Sequence, residues 1–309
     1  MSDLAVFDIA MRMRFRGQVR RTGVLLRGPA GWGEFSPFPD YDDAACVPWL
    51  AAAREAAFEG WPQPVRQEIA VNVTVPAVDP QRAYAHVAAS GCTTAKVKVA
   101  EPGQTLADDL DRVAAVREAL GRDGHVRVDA NGGWTVDQAV DALKQLDAFN
   151  LEYAEQPVRS LDEMAELRRR VDVRLAADES VRTAADPMRI AGLEAADIVV
   201  LKVQPLGGVR RCLQVAESSG LPVVVSSAVE TSVGLAAGVA LAAALPELPF
   251  ACGLGTAQLL AGDVTPEPLM PVNGMLPVRT VVPDLRLVSA DSATSNQWAD
   301  RLQRVEALS

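Results

Sequence analysis

Lysine is scarce in this chain of 309 residues: Lys and Arg together number 30, and only four of them are lysines. Arginine can replace lysine at a protein surface but cannot release a proton near neutral pH. A lysine kept in such a chain is therefore a candidate for proton transfer, with chance retention as the alternative. The four are Lys96, Lys98, Lys144 and Lys202. For Lys144, in the middle of a predicted helix, we adopt the chance explanation.

Histidine and cysteine are also scarce, with two and four copies. The cysteines lie far apart and form no C-x-x-C pair, which argues against a zinc site or a disulfide framework and indicates reduced thiols. His86 falls in a predicted helix and His125 at the start of a predicted strand. We expect both to be structural, so acid–base chemistry falls to other residues.

Long apolar runs and basic runs are missing as well. The longest uncharged apolar run, Val233 to Leu245, is too short to span a bilayer, and charges interrupt the N-terminal segment too often for a signal peptide. A formal charge of −10 argues against nucleic acid or an anionic membrane as a partner. We predict a cytoplasmic protein without nucleic-acid or membrane partners, and leave open whether it is a monomer or an oligomer.

From about residue 68 the chain alternates short β-type runs with amphipathic segments, which is typical of a parallel α/β sheet. Eight strands over roughly 190 residues favour a modified TIM barrel, (β/α)7β, over an open doubly wound sheet, and no G-x-G-x-x-G or Walker sequence follows any strand. The predicted strands are Glu68–Val75, Ala95–Val99, His125–Ala130, Leu151–Glu155, Arg174–Asp178, Asp197–Val203, Pro222–Ser227 and Phe250–Leu254. Helices are predicted between them, for example over Thr105–Gly121 and Thr135–Phe149.

The two flanks are too short for generous cores of their own. We predict that residues 1–67 and 265–309 pack together as a small α+β capping domain against a barrel of residues 68–264. Its predicted elements are strands at Ala5–Arg14 and Gln18–Arg27, a helix at Ala44–Glu59 and a short β-type piece at Asp284–Val288.

Charged residues end five consecutive barrel strands, at the edge where such barrels carry their active sites. They are Lys96 and Lys98 on strand two, Asp129 on strand three, Glu155 on strand four, Asp178 on strand five and Lys202 on strand six. The intervals from Asp129 to Glu155, Asp178 and Lys202 are 26, 23 and 24 residues, so one charge recurs at each βα step. We expect these side chains to converge at the rim of the barrel.

Three converging carboxylates repel one another unless a cation neutralises them. Ligation by oxygen alone suits Mg²⁺ or Mn²⁺, so Asp129, Glu155 and Asp178 predict a metal site, with Glu179 as a competing ligand. The alternative for each acid is a helix cap or a surface ion pair. Strands two and six lie roughly opposite in an eight-stranded ring, so Lys98 and Lys202 would face each other across a carboxylate substrate.

At these residues the sequence resembles the enolase superfamily, in particular its muconate-lactonizing-enzyme subgroup. The matching motifs are the pair Lys96 and Lys98, the segments Asp129–Asn131, Glu155–Pro157 and Asp178–Ser180, and Lys202 followed by Gly207 and Gly208. Within the subgroup it is similar to the short-type o-succinylbenzoate synthase family through Trp32–Tyr41, Ser226–Ser232 and Gly253–Thr256. Its N-terminal domain is shorter than in most of the superfamily.

The resemblance implies a lyase of menaquinone biosynthesis, which dehydrates 2-succinyl-6-hydroxy-2,4-cyclohexadiene-1-carboxylate to 2-succinylbenzoate by syn elimination. By resemblance, Lys98 would move the proton, Lys202 would act as a cation on the opposite face, and Lys96 would hold a positive charge beside Lys98. The metal would be Mg²⁺ on the three acids. Ser227, Gly253, Gly255 and Asn131 are predicted to bind the substrate. The segments Arg14–Arg21 and Trp32–Asp43 are predicted to close the pocket.

Three other functions remain open from sequence. A racemase of N-succinylamino acids or a dipeptide epimerase would use the same metal with both lysines as bases. A Schiff-base lyase would instead form an imine on Lys202. A barrel that binds a ligand without catalysis is the third possibility.

Overall fold

A computed structural model describes residues 4–15, 17–183 and 188–309 of the chain. The strands are β1 (Leu4–Phe15), β2 (Gln18–Gly28), β3 (Gly31–Phe35), β4 (Glu68–Ala70), β5 (Val73–Val75), β6 (Thr94–Lys98), β7 (His125–Asp129), β8 (Leu151–Glu155), β9 (Leu175–Ala177), β10 (Ile198–Lys202), β11 (Val223–Ser226) and β12 (Met275–Pro277). The helices are α1 (Val47–Arg54), α2 (Pro80–Ala88), α3 (Leu106–Leu120), α4 (Val136–Leu146), α5 (Leu161–Arg168), α6 (Glu179–Thr183), α7 (Met188–Gly192), α8 (Val203–Leu206), α9 (Val209–Ser219), α10 (Ser232–Ala244) and α11 (Ser292–Glu306).

The N-terminal strands β1, β2 and β3 form an antiparallel sheet in that order, and α1 packs on it. A Cβ atom on Gly33 would lie 1.9 Å from the carbonyl oxygen of Ala53, so only glycine lets the helix approach this closely. The predicted helix Ala44–Glu59 is thus α1, which begins at Val47 and continues as a π-helical turn to Glu59. The sheet and α1 form the cap of the molecule.

The C-terminal helix α11 completes the apolar core of the cap. Trp298, Leu302 and Val305 are buried with residues of β2, β3 and α1, and the Trp298 ring meets Phe35 edge-on at 5.8 Å between centroids. The two ends of the chain therefore pack together, as expected. The domain boundaries at residues 67 and 264 remain predictions.

Seven parallel strands form the curled sheet of the barrel in the order β11-β10-β9-β8-β7-β6-β5. Hydrogen bonds from Cys252 to Ala70 and from Gly253 to Val225 join the two edges of this sheet through the eighth predicted segment. The predicted α/β class and barrel are confirmed. Six predicted strands, the second to the seventh, match the observed ones to within one residue at either end.

Three β-type predictions were wrong in detail. Phe250–Leu254 forms isolated bridges at Cys252 and Gly253 rather than a regular strand. Glu68–Val75 is split into two strands with different partners, since β4 pairs with β12 and β5 pairs with β6. Asp284–Val288 forms a turn, in which the side chain of Asp284 accepts hydrogen bonds from the backbone and guanidinium of Arg286.

The barrel helices begin at clear sequence signals. Thr105 and Thr135 cap α3 and α4, and each forms a reciprocal capping box with the residue three positions on. Gly121, with φ of 71°, ends α3. Both predicted helices are confirmed, with Asp147–Phe149 in 3₁₀ form after α4. Within the described ranges, every helix is too short or too polar to span a lipid bilayer.

Candidate active site

A cavity of about 1040 Å³ lies at the C-terminal ends of the barrel strands, between the barrel and the cap. Arg12, Arg14 and Gly17 of the β1–β2 hairpin line it from one side, and Phe38 and Trp49 line it from the rest of the cap. The two cap segments that were predicted to close the pocket therefore both border this cavity.

Seven of the ten predicted site residues line this cavity. They are Lys96, Lys98, Asp129, Asn131, Lys202, Ser227 and Gly253. Within the described part of the chain, the other three, Glu155, Asp178 and Gly255, are not part of its lining. Glu155 and Asp178 are nevertheless at most 1 % exposed, and ion pairs with Lys96 and Lys202 connect them to the lining. Gly255 begins a 3₁₀ turn. A Cβ atom on Gly255 would lie 3.1 Å from the carbonyl oxygen of Asn72.

Strand register aligns the first half of the charged rim. Lys98 on β6 pairs with Asp129 on β7, and Asp129 pairs in turn with Glu155 on β8. Residues paired across parallel strands point to the same face of the sheet. The three charged side chains consequently meet on the inner side of the barrel.

Lysine side chains bridge the carboxylates directly. The ammonium of Lys96 lies 2.7 Å from Glu155 Oε1 and 3.2 Å from Asp129 Oδ2. Lys98 donates to the same Asp129 oxygen at 2.7 Å and also to the side-chain oxygen of Asn131. The backbone of Asn131 is left-handed, with φ of 46°, and its N–H donates to Asp129 Oδ1 at 3.1 Å.

The second half of the rim centres on Asp178, just after β9. Lys202 of β10 donates to Asp178 Oδ2, and Arg182 of α6 donates to Asp178 Oδ1 at 3.2 Å. Arg182 also donates to Tyr41 Oη of the cap at 2.8 Å and to Glu179 at 2.9 Å. Arg182 was not predicted from the sequence, although its position four residues after Asp178 in a helical turn was an available signal.

These contacts shift the acidic pKa values in opposite directions. Burial by itself would raise the pKa of Asp129, but Lys98 and Lys96 outweigh it and hold that pKa well below its ordinary value. Burial would also raise the pKa of Asp178, but the positive charges of Arg182 and Lys202 lower it to about 2. Burial raises the pKa of Glu155 to about 7 against the attraction of Lys96, with Asp129 and Asp178 contributing. The rim therefore holds two firmly ionised carboxylates and one that resists ionisation.

The donor set of the rim suits a hard divalent cation. Its carboxylates supply only oxygen, and among the described residues Glu155 Oε2 is buried with no hydrogen-bond partner, so a ligating atom is left over. In the same part of the chain, no three acidic, histidine or cysteine side chains stand close enough together to form a ready metal group. The ammonium groups of Lys96, Lys98 and Lys202 supply the neutralising charge.

Glu179, the competing ligand from the sequence, points to the cavity rather than to the interior. It lines the cavity and accepts hydrogen bonds from Asn131 at 3.2 Å and from Arg182 at 2.9 Å. Asp178 is fully buried beside it. That Asp178 rather than Glu179 binds the metal stays a prediction.

The predicted substrate-binding residues on the far side of the cavity form a small polar wall. The hydroxyl groups of Ser227 and Thr256 lie 2.6 Å apart. A Cβ atom on Gly253 would stand 2.6 Å from Ser226 Oγ, so any larger residue here would force the Ser226 side chain to shift. The wall is adjacent to Lys202, which pairs in register with Ser226.

Arg127, two residues before Asp129 on β7, is completely buried inside the barrel. Its Nε lies 2.5 Å from Glu152, and its Nη1 donates to Asn72 at 3.2 Å and to the carbonyl of Ala251 at 2.6 Å. These contacts join β7 and β8 to the two segments that close the ring. Arg127 thus forms a buried ion pair with Glu152 in the core of the barrel. Within the described structure it does not contact Asp129 and does not line the cavity.

Comparisons with known proteins identify both parts of the chain. Residues 80–283 match the family described as Enolase C-terminal domain-like, and residues 6–57 match Enolase N-terminal domain-like. An o-succinylbenzoate synthase of Thermobifida fusca is 62% identical over 97% of this chain and 95% of its own length. One of Mycolicibacterium smegmatis is 51% identical over 99% of this chain and 95% of its own.

Solved structures agree on the fold. The L-Ala-D/L-Glu epimerase of Bacillus subtilis has a TM-score of 0.79 at 20% identity, covering 92% of this chain and 97% of its own. A muconate lactonizing enzyme of Pseudomonas fluorescens has the same TM-score at 22% identity, covering 96% and 98%. The family matches over both the cap and the barrel, together with the 62% identity to the Thermobifida fusca synthase along almost the whole chain, mean that the chain belongs to the enolase superfamily and, within it, to the o-succinylbenzoate synthase family.

Proposed function

We propose that this protein catalyses the dehydration of 2-succinyl-6-hydroxy-2,4-cyclohexadiene-1-carboxylate to 2-succinylbenzoate, a step toward menaquinone. The observation that carries the proposal is the similarity, along almost the whole chain, to relatives that bear the synthase name. The cavity supports it, because it gathers two lysines from opposite strands with buried carboxylates between them. Its substrate is a small-molecule carboxylate.

Lys98 is the residue that we assign to proton transfer. Its amine would take the proton from the ring carbon that bears the carboxylate, and the electron pair of that C–H bond moves into the ring and carboxylate. The C–O bond to the ring hydroxyl then breaks, and the same ammonium returns the proton to the departing oxygen, so that water leaves and the ring becomes aromatic. Lys98 suits this exchange because it lines the cavity while Asp129 and Asn131 hold its position.

Lys202 and Lys96 supply fixed positive charge in this scheme. Lys202 lines the cavity from β10, four positions from the β6 strand of Lys98 in the curled sheet. It would therefore meet the planar ring as a cation on the face opposite to Lys98. Lys96 is buried between Asp129 and Glu155, which raise its pKa well above the ordinary value even though burial works against them. It would stay protonated throughout the reaction.

Membership of the enolase superfamily implies a divalent cation, and we propose Mg²⁺, with Mn²⁺ as a substitute. Asp129, Glu155 and Asp178 would hold it, and the leftover oxygen of Glu155 supports this assignment. When bound, the cation supplies positive charge beside the substrate carboxylate as negative charge builds there.

Arginines in the lining of the cavity fit the second carboxylate of the substrate. Arg12 and Arg14 line it from the cap and Arg82 lines it from α2, so that three cations border the same space. Arg12 is oriented by a 3.0 Å hydrogen bond from its Nε to the carbonyl of Leu260. We propose that these residues attract the succinyl carboxylate, while Asn131, Ser227, Gly253 and Gly255 shape the space around the ring.

The test is a direct assay of the purified protein with Mg²⁺ and the cyclohexadiene carboxylate, monitored by the absorbance of the aromatic product. We expect 2-succinylbenzoate to form, activity to stop with EDTA and return with Mg²⁺, and N-succinylamino acids to be racemised slowly or not at all. Efficient racemisation without dehydration would overturn the proposal. Activity that survives EDTA, with borohydride trapping of substrate on Lys202, would indicate a Schiff-base lyase instead.

Two lysine variants separate dehydration from racemisation. In a one-base elimination, Lys98→Arg should abolish turnover, because the guanidinium cannot accept the proton, while Lys202→Arg keeps its positive charge and measurable activity. In a two-base racemase both variants should fail equally, because each lysine must give or take a proton.

A further inference from the structure

A second buried polar cluster lies where the cap meets the end of β11. We call it the cap joint and define it as Arg21, Glu34 and Ser36 of the cap with Glu230 and Thr231 of the barrel. Each of the five residues is at most 2 % exposed. Buried charges persist in proteins where hydrogen bonds satisfy them, so the partners of each one indicate what the cluster holds in place.

Glu34 binds the first turn of α10. Its carboxylate accepts hydrogen bonds from the backbone N–H of Thr231 at 3.2 Å, from the Thr231 hydroxyl, and from the N–H of Gly234 at 3.0 Å. A Cβ atom on Gly234 would lie 2.9 Å from Glu34 Oε2, so glycine admits the carboxylate here. A residue of the cap thus anchors a barrel helix at its N-terminal end.

Arg21 binds the residues just before this helix. Its Nε donates to the carbonyl of Val229 at 3.0 Å, and its Nη2 donates to the carbonyl of Ser36 at 2.7 Å. The guanidinium lies 4.3 Å from the ring centroid of Phe38. Ser36 in turn donates to Glu34 Oε1 at 2.7 Å, which links the two charged cap residues to each other.

The segment under these contacts has a strained backbone. Val229 has φ of 61°, in the left-handed region that a β-branched residue rarely adopts. Both carboxylate oxygens of Glu230 accept the N–H of Ala228 at 2.9 Å, which fixes the preceding peptide as well. Such a conformation persists only where its surroundings impose it, and here the imposing contacts come from Arg21 and Glu230.

The strained segment is also a wall of the active-site cavity. Ser227, Ala228 and Val229 all line it, next to Thr256, which shares a hydrogen bond with Ser227. Any rotation of Val229 out of the left-handed region would therefore move this wall relative to the lysines. The cap joint and the cavity share one stretch of backbone.

We propose that Arg21 and Glu34 are positioning residues that hold Val229 in its left-handed conformation and so set the position of the Ser227–Val229 wall against the substrate. This inference rests on the proposed synthase function only for its kinetic consequence. The residues touch neither substrate nor reacting atoms. Their effect is expected on substrate binding more than on the chemical step.

The first test replaces Arg21 by methionine and uses Arg20→Met as a matched control. Arg20 is the neighbouring arginine on β2, largely exposed and paired with Asp8, so the control removes the same charge from the same strand. We expect Arg21→Met to raise KM about tenfold or more, as for the loss of a buried charged hydrogen bond, with kcat within about threefold of the wild type. Arg20→Met should change neither constant.

Amide hydrogen exchange gives a readout that does not depend on activity. In Arg21→Met and in Glu34→Gln, the peptide covering residues 226–232 should exchange about tenfold faster or more, while a peptide from β7 should keep its wild-type rate. Unchanged exchange in this peptide would overturn the proposal even if the synthase assay succeeds. Absence of synthase activity in the wild type, with faster exchange in the variants, would instead refute only the proposed function.

Val229→Gly supplies a rescue that a merely structural role would not produce. Glycine adopts the left-handed conformation without strain, so the wall no longer has a tendency to leave it. The Arg21→Met substitution should therefore raise KM by a clearly smaller factor in the Val229→Gly background than in the wild type. Equal factors in the two backgrounds would contradict the proposal, because the cap joint would then act without Val229.

Discussion

The rim and the cap joint are two buried clusters of charge that are built in different ways. The rim takes its charges from neighbouring strands of one sheet, each about one βα unit after the last. The cap joint brings together Glu34 and Thr231, which are 197 residues apart. Charges that recur with each βα unit leave a regular pattern in the sequence, whereas a tertiary joint leaves no local pattern.

The partners of the charges differ as well. In the rim, lysines and carboxylates mainly contact one another and face a cavity, so that a substrate can exchange partners with them. In the cap joint, the charges bind backbone groups that stay in place. We expect substitutions in the rim to reduce kcat with little loss of stability, and substitutions in the buried structural clusters to reduce stability or raise KM.

The largest effect is expected for Lys98→Arg, which tests the rim. The substitution keeps the positive charge but removes the only group that we assign to proton transfer, so kcat should fall by about 10³-fold or more. The melting temperature should stay near that of the wild type, since the guanidinium can still pair with Asp129. A variant that kept a tenth of the wild-type kcat would show that another group moves the proton.

A large loss of stability is expected for Arg127→Met, which lies in the same sheet as the rim but below it. Removing this buried guanidinium leaves Glu152 without its 2.5 Å partner and breaks the bonds to Asn72 and Ala251. The free energy of unfolding in urea should fall by about 3–5 kcal/mol. The matched double variant with Glu152→Gln should recover part of the loss, because no unpaired carboxylate remains. No recovery would mean that Glu152 is not the important partner.

Much of the rim could be predicted from sequence, because side chains alternate along a strand and the strands recur at regular intervals. That rule places Lys98, Asp129 and Lys202 on the cavity. It could not show that Glu155 and Asp178 lie outside the lining, held by lysines, because the length and rotamer of each side chain decide that. Arg182 was not predicted, because the rule of alternation along strands does not apply to a residue that reaches the rim from a helix.

The mistaken elements share one physical cause. Phe250–Leu254 and Asp284–Val288 both have a β-type pattern, but a strand also needs neighbours that offer a continuous ladder. Cys252 and Gly253 each form only one isolated bridge, to Val71 and to Ser226 on two different segments, and Asp284 pairs with Arg286 in a turn. The cap joint was missed for a related reason, since its hydrogen bonds depend on where two distant segments meet.

A pH-dependent difference in stability is expected for Glu34→Gln and would sharpen the contrast between the clusters. Burial raises the pKa of Glu34 to about 7, against hydrogen bonds from Thr231 and Ser36, with Glu230 adding to the rise and Arg21 opposing it. The folded protein therefore binds more protons than the unfolded chain between the ordinary glutamate pKa and about pH 7, so this carboxyl lowers stability as the pH rises through that range.

Glutamine does not titrate, so the variant lacks this decline. Relative to the wild type, Glu34→Gln should therefore become more stable as the pH rises from 5 to 8. The difference in the free energy of unfolding should increase by an amount of order 2 kcal/mol. Glu155 titrates in the same range, but it is present in both proteins and its contribution cancels in the difference. Urea unfolding of both proteins at several pH values measures the effect. A constant difference across the range would contradict the raised pKa of Glu34.

The smallest effect, effectively none, is expected for Lys144→Arg. Lys144 is exposed in the last turn of α4, where any cation interacts favourably with the helix end. The change in unfolding free energy should stay within about 0.5 kcal/mol, and kcat and KM should be unchanged. The same substitution at Lys98 is expected to be drastic, so the pair separates lysines kept for chemistry from the one that arginine can replace. A clear loss of activity in Lys144→Arg would remove the basis for treating the scarcity of lysine as a guide to the active site.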